Sequence, residues 1–161
     1  MYICIGCGNA HQKLMEFASF SEPVCKCCGK ELITVDEGIA RIIVFLNQKG
    51  LETLHSCEGH YCGEGNLNFE GNVGYISFHN KNNDLEKVLA DIPDEIDDYI
   101  FSYEMVTGPR SFENREFIPK FILRWELRND KIIDTSYNFM IDKIKMLEKL
   151  DTVFKNILKG E

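Results

Sequence analysis

Two short runs, CIGCG at residues 4–8 and CKCCG at residues 25–29, carry the chain's most specific chemistry. Each holds a Cys-x-x-Cys pair followed by glycine, and seventeen residues lie between Cys7 and Cys25. Two such pairs can present four thiolates, Cys4, Cys7, Cys25 and Cys28, at the corners of a tetrahedron, the closed geometry of structural Zn²⁺. The turn around a metal aims backbone N–H groups at sulfur and needs a residue that tolerates positive φ, which accounts for Gly8 and Gly29. Cys27 is a spare, because its one-residue spacing from Cys25 breaks the pattern. Zn²⁺ is the expected cofactor, and iron could use the same four ligands. A closed four-thiolate site has no open position, so it staples a segment too short to bury a core and does not catalyse. Lys26 and Lys30 stand where they can offset the surplus negative charge.

The two CxxCG units resemble the knuckles of a zinc ribbon over about residues 1–33. That resemblance implies a docking surface for protein or nucleic acid, without saying which. The remaining cysteines pose a different question. His55, Cys57, His60 and Cys62 fall within eight positions. Three readings compete. Cys57, His60 and Cys62, with His55 or His79, could ligate a second zinc. Alternatively, Cys57 could act as a nucleophile beside His60, since an imidazole lowers a thiol's pKa and serves as general base. In the third reading the cluster is structural, with Cys57 a small apolar residue at a strand end and the Gly-rich loop 57–72 a binding surface.

The run LNQKGLETLHSCEGH followed by GYISF, within residues 38–79, is similar to uncharacterised proteins of bacteria and their phages that carry an SCxGH motif in the same order. The resemblance implies a shared fold and little chemistry. A fainter likeness, through Ser56, Cys57 and Gly59, is to wybutosine-synthesising methyltransferases with an SCSGR signature; here His60 stands in place of the arginine.

These motifs need elements to hold them. Ile39, Ile42, Ile43, Phe45 and Leu46 recur at helical spacing between Asp36, a candidate N-cap, and Gly50. Leu51–Cys57 reads as a strand with Leu51, Thr53, His55 and Cys57 on one face and Leu54 and Ser56 on the other, and Val73–His79 reads as another strand. Between them, glycines and asparagines in residues 58–72 mark a loop. A second helix runs from Asn83 or Asp84 through Leu85, Val88, Leu89 and Ile92. Tyr99–Val106 and Phe117–Leu127 read as strands, the latter with Phe121, Leu123, Trp125 and Leu127 on its apolar side. Residues 130–159 read as a long amphipathic helix with Ile133, Tyr137, Met140, Ile144, Leu147, Phe154 and Leu158 on one face, which could pack on the sheet or pair with a second copy as a homodimer. The expected fold class is α+β: a zinc ribbon at 1–33, then a largely antiparallel αββ-αββ-α domain at 34–161.

The chain has 161 residues, 44% of them hydrophobic, and a formal net charge of −8. That charge disfavours phosphate binding, which relies on clustered Lys and Arg, so nucleic acid is the third choice of partner. Lys120, Arg124 and Arg128 are interrupted by Glu126 and read as an ordinary exposed face. The acidic run of Asp91, Asp94, Glu95, Asp97 and Asp98 lacks the spacing and glycine of a calcium loop. No apolar run reaches the length of a membrane span, and the first residues lack the pattern of a secretory signal, so a cytoplasmic location is expected. P-loop, GxGxxG, GxSxG and HExxH motifs are absent. The leading expectation is an accessory or interaction protein; a small enzyme using Cys57 and His60 is the alternative.

Overall fold

Alternation of apolar and polar residues along Val73–His79 and Phe117–Leu127 gives each strand one apolar and one more polar side. A computed structural model shows how these sides are used; it describes residues 2–4, 6–11, 24–30, 32–59, 73–81, 84–109, 116–132 and 139–159. Strands β4 (Thr53–Cys57), β5 (Val73–His79), β6 (Glu95–Ile96), β7 (Tyr99–Pro109) and β8 (Phe117–Leu127) form one sheet in the order β4-β5-β8-β7-β6. All neighbouring pairs are antiparallel. The two expected αββ units therefore merge into a single sheet, with β8 between β5 and β7.

On the apolar face, Ile76, Phe78, Phe101, Phe121, Leu123 and Trp125 are buried and join one core with Ile42, Ile43 and Leu46 of α1 (Ala40–Gln48), Leu85 and Leu89 of α2 (Leu85–Ala90) and Met146, Leu147, Leu150 and Phe154 of α4 (Phe139–Ile157). Burial of each such large side chain stabilises the fold by about 1.5–3 kcal/mol. Trp125 stacks on Phe101 with ring centroids 6.0 Å apart. Its indole leaves no room opposite, since a Cβ on the register partner Gly74 would lie 2.1 Å from Trp125 Nε1. The sequence EGNVGYISF thus needs glycine at 74 for packing.

The C-terminal helix is turned differently from the expected one. A short α3 (Asn129–Ile132) precedes α4, and Ile133 and Tyr137 lie outside the described residues. Along α4, Met140 and Ile144 are about half exposed or more, at 57% and 50%, whereas Lys143 and Met146 are buried. The buried stripe runs through 143, 146, 147, 150, 154 and 158, so the face is set by what meets the sheet and not by the first apolar residues of the run. Strand β4 also departs from simple alternation. A bulge between Thr53 and His55 puts Thr53 opposite Phe78, while His55 and Cys57 pair with Ser77 and Tyr75. Thr53 therefore faces the core side, and His55 and Cys57 face the other.

The acidic run is part of the sheet. It contains β6, and Asp97 turns the chain into β7 with φ +54, a left-handed conformation that aspartate tolerates. Lys149 pairs with Asp97, and Lys131 lies 3.9 Å from Asp98.

At the N-terminus, β1 (Tyr2–Cys4) sits between β2 (Ala10–His11) and β3 (Leu32–Thr34) in a three-stranded antiparallel sheet. Alternation along β1 does two jobs. Ile3 points into the main core, with Val35 beside it, whereas Cys4 packs with Cys25, Leu32 and Tyr2 in a separate small cluster. One strand thereby anchors the cysteine segment to α1 and presents its first thiol on the opposite side.

Candidate functional site

The two knuckles have the same backbone construction. Gly8 N–H donates to Cys4 O at 2.9 Å and Gly29 N–H to Cys25 O at 2.8 Å. One residue on, the ring closes in reverse: Cys4 N–H donates to Asn9 O at 3.0 Å and Cys25 N–H to Lys30 O at 2.7 Å. Both glycines take positive φ, +75 at Gly8 and +70 at Gly29, as the expected turns require. Gly8 has a second reason to be glycine, because a Cβ there would come within 2.9 Å of Val44 and Gln48 on α1. The first knuckle is thus seated directly on the helix.

These turns bring Cys4, Cys7, Cys25 and Cys28 together, with their sulfur atoms all within 4.8 Å of one another. Cys4 and Cys28 Sγ are 3.3 Å apart, and Cys7 and Cys25 Sγ 3.5 Å. A tetrahedron with Zn–S bonds of about 2.3 Å has edges of about 3.8 Å, inside this range. The N–H groups of Gly6 and Cys7 approach Cys4 Sγ at 3.3 and 3.5 Å, as expected for a knuckle that stabilises a thiolate. The donor set fits a thiophilic divalent ion. The backbone N–H of Asn9 pulls the Cys7 thiol down, yet desolvation and the neighbouring sulfurs outweigh it and push it up to about 12. Cys4 moves the other way: burial opposes ionisation, but the Cys7 and Gly6 N–H groups and the Cys28 thiol bring it below its ordinary value. A bound cation would offset the charge of four thiolates held side by side. Among the described residues this is the one group of metal-ligating side chains gathered so closely. Cys27 is exposed, stands outside the tetrad, and accepts a 2.9 Å hydrogen bond from Asn9 Nδ2. The stem of Lys30 crosses Gly6, whose Cβ would lie 2.4 Å from Lys30 Cδ, so the second knuckle packs on the first.

The SCEGH segment is built differently. Glu58 is its keystone: Oε1 accepts a 2.8 Å bond from Lys143 Nζ, and Oε2 accepts one of 2.8 Å from Gly38 N–H at the start of the helical segment. Lys143 Nζ also donates to Gly59 O at 2.9 Å, and its side chain is only 4% exposed. Asp36 occupies the N-cap position of the 3-10 turn Glu37–Ile39, but its side chain makes no cap bond there. It accepts the Glu58 N–H at 3.1 Å instead. Gly59 takes φ +85 and lies against β5, where a Cβ would be 3.3 Å from Gly74 N. Glu58 and Gly59 of the motif therefore have structural duties. Neither Lys143 nor Asp36 stood out in the sequence as a partner for the loop.

Cys57, half-buried at the end of β4, lies in acidic company. Burial pushes its thiol up from the ordinary value; the Gly59 N–H works against this, and the carboxylates of Asp36 and Glu58 add to it. Tyr75, its register partner, is raised as well, by burial and then by Cys57 and Asp36. Such surroundings hold the thiol protonated, the reverse of what an activated nucleophile requires. The rate of iodoacetamide alkylation at Cys57, followed by mass spectrometry, should still be rising above the ordinary thiol pKa of about 8.5; a rate already level at neutral pH would show an activated thiolate. His79 does not join Cys57. It lies four residues beyond Tyr75 on β5, about 13 Å at about 3.3 Å per residue, and its Nδ1 is 3.5 Å from Glu52 Oε1. His55 is exposed on the same face as Cys57, and the described residues bring no third ligand to the pair. His60 and Cys62 lie outside the described residues.

No helix is long and apolar enough to cross a membrane among the residues described. Compared with models of known protein families, with curated proteins and with solved structures, the chain matches none of them, and the likeness of residues 38–79 to bacterial and phage proteins gains no support there.

Proposed function

We propose that this chain is a zinc-stapled accessory or interaction protein and that its metal is structural. The observation that carries the reading is the closure of the Cys4, Cys7, Cys25 and Cys28 tetrad by two matching knuckles. Four thiolates fill the coordination sphere of Zn²⁺ and leave no position for substrate or water. The ion would join β1 to the 25–30 turn and hold the small sheet against α1 through Ile3 and Gly8. The loop that begins at Cys57 is proposed as a ligand or partner surface, since it is tied at its root by Glu58, Gly59 and Lys143. The raised Cys57 thiol speaks against the thiol-enzyme alternative.

Chelation tests the structural role. Stripping the metal at neutral pH should lower the thermal midpoint and release the N-terminal segment to proteolysis, and restoring Zn²⁺ should reverse both. Because thiols must lose protons to bind, zinc should also be given up as the solution is acidified. An unchanged melt and digestion pattern after complete metal removal would defeat the proposal.

A further inference from the structure

Strand β7 is eleven residues long, but its outer neighbour β6 covers only Tyr99 and Ile100. Beyond them Phe101 N–H donates to Asp94 O at 2.7 Å. From Ser102 to Pro109, among the described residues, β7 pairs with β8 on one side and with no strand on the other. Backbone groups alternate in direction along a strand, so the outward set that begins at Phe101 continues at Tyr103, Met105 and Thr107. The edge carries one charge, Glu104, which pairs with Arg124 at 2.9 Å, and is otherwise little protected. No lysine or bulge interrupts it, proline enters only at 109, and Tyr103 and Met105 are 39% and 63% exposed.

Beside this edge lies a groove of about 340 Å³ between β7 and the end of α2. Leu89, Ile92, Phe101 and Leu123 make an apolar floor, and Ala90 and Asp94 stand at the rim. Asp91 and Glu95, both exposed, add negative charge at that end. A strand edge left unpaired among the described residues, beside a helix-walled groove of mixed polar and apolar lining, is the arrangement that recognises an extended peptide by strand addition: the backbone supplies affinity, and alternate side chains enter the groove.

We propose that the free edge of β7 binds an extended segment of a partner protein as an added strand, with an apolar side chain of the segment in the α2–β7 groove and a lysine or arginine beside Asp94. The partner's basic charge matches the chain's net charge of −8 as well as the acidic rim. This inference goes beyond the zinc-staple reading and does not depend on it.

The test uses the full chain as purified and a fluorescein-labelled decapeptide alternating valine and threonine with lysine at both ends. Matched peptides carry glutamate ends or a proline at every third position. The lysine peptide should bind, and the proline peptide should not. On binding, amide exchange should slow at Tyr103, Met105 and Thr107 by about tenfold or more, with little change on β4. Ala90→Trp fills the groove from an exposed position, and Asp94→Lys reverses the rim charge; each should weaken binding by about tenfold or more. Saturable binding without protection of those amides, or equal binding of all three peptides, would overturn the proposal. So would a failure of the lysine peptide to bind. A concentration-dependent doubling of mass, with the same amides protected in the absence of peptide, would make the occupant a second copy of this chain and equally overturn it.

Discussion

Cys25→Ser is expected to abolish zinc binding and unfold the N-terminal segment, while Cys27→Ser, two positions away, leaves both intact. The two residues differ by geometry alone. Cys25 Sγ is one of the four clustered sulfurs and its residue is 2% exposed, whereas Cys27 is exposed and outside the cluster. Loss of one thiolate leaves three ligands and an open site. The ion contributes on the order of 10–16 kcal/mol of apparent binding free energy in small zinc domains, and much of that is folding free energy. The local hydrophobic cluster of Cys4, Cys25, Leu32 and Tyr2 is too small to replace it. Metal release monitored with a colorimetric chelator, together with limited proteolysis, reads both effects. The main sheet and its helices should keep their secondary structure in Cys25→Ser, since their core is continuous without the cysteine cluster.

The second large effect lies at Lys143. Its ammonium sits in a nearly closed pocket, held by Glu58 Oε1 and Gly59 O. Lys143→Met keeps the stem's volume and removes the cation, leaving the Glu58 carboxylate with the Gly38 N–H but without its counter-charge. Removing one partner of a buried pair costs about 3–5 kcal/mol, because the remaining charge is uncompensated. Combining it with Glu58→Gln should recover a good part of that loss, since the buried charge itself is then gone. Urea unfolding followed by the fluorescence of the single tryptophan, Trp125, measures both variants. If the two single changes cost nothing, or if the double change is simply their sum, Glu58 and Lys143 do not hold the loop root as described.

The sequence exposes local features far better than it exposes their partners. The cysteine knuckles are legible because ligand spacing and turn glycines are fixed within five residues by the geometry of one ion. Strands β5 and β8 are legible because one face is apolar and the other carries polar residues, so alternation marks Val73–His79 and Phe117–Leu127 at the ends observed. Helix α4 is legible as a helix but not in its rotation. Its apolar residues Met140, Ile141 and Ile144 exceed what the core receives, and a lysine takes a buried position. That placement depends on Glu58, 85 residues earlier, and on a carbonyl no pattern reveals. The bulge in β4 is hidden for a similar reason: Leu54 gives no local signal, and the register is imposed by Phe78 and Ser77 across the ladder. Insertion of β8 between β5 and β7 is a long-range choice, and adjacent αββ units look the same in sequence under either pairing.

For the SCEGH motif, local reading raises three roles and the structure weighs them unevenly. Glu58 and Gly59 hold the loop root, Cys57 sits in an acidic pocket that disfavours its thiolate, and His79 is bound up with Glu52. His60 and Cys62, which a second metal would also need, lie outside the described residues.

Elemental analysis of the purified chain therefore tests the central claim most directly. The account predicts one zinc per chain, unchanged in a Cys57→Ser, His60→Ala double variant and lost in Cys25→Ser. A chain without zinc, a second equivalent that disappears in the double variant, or zinc retained by Cys25→Ser would contradict it.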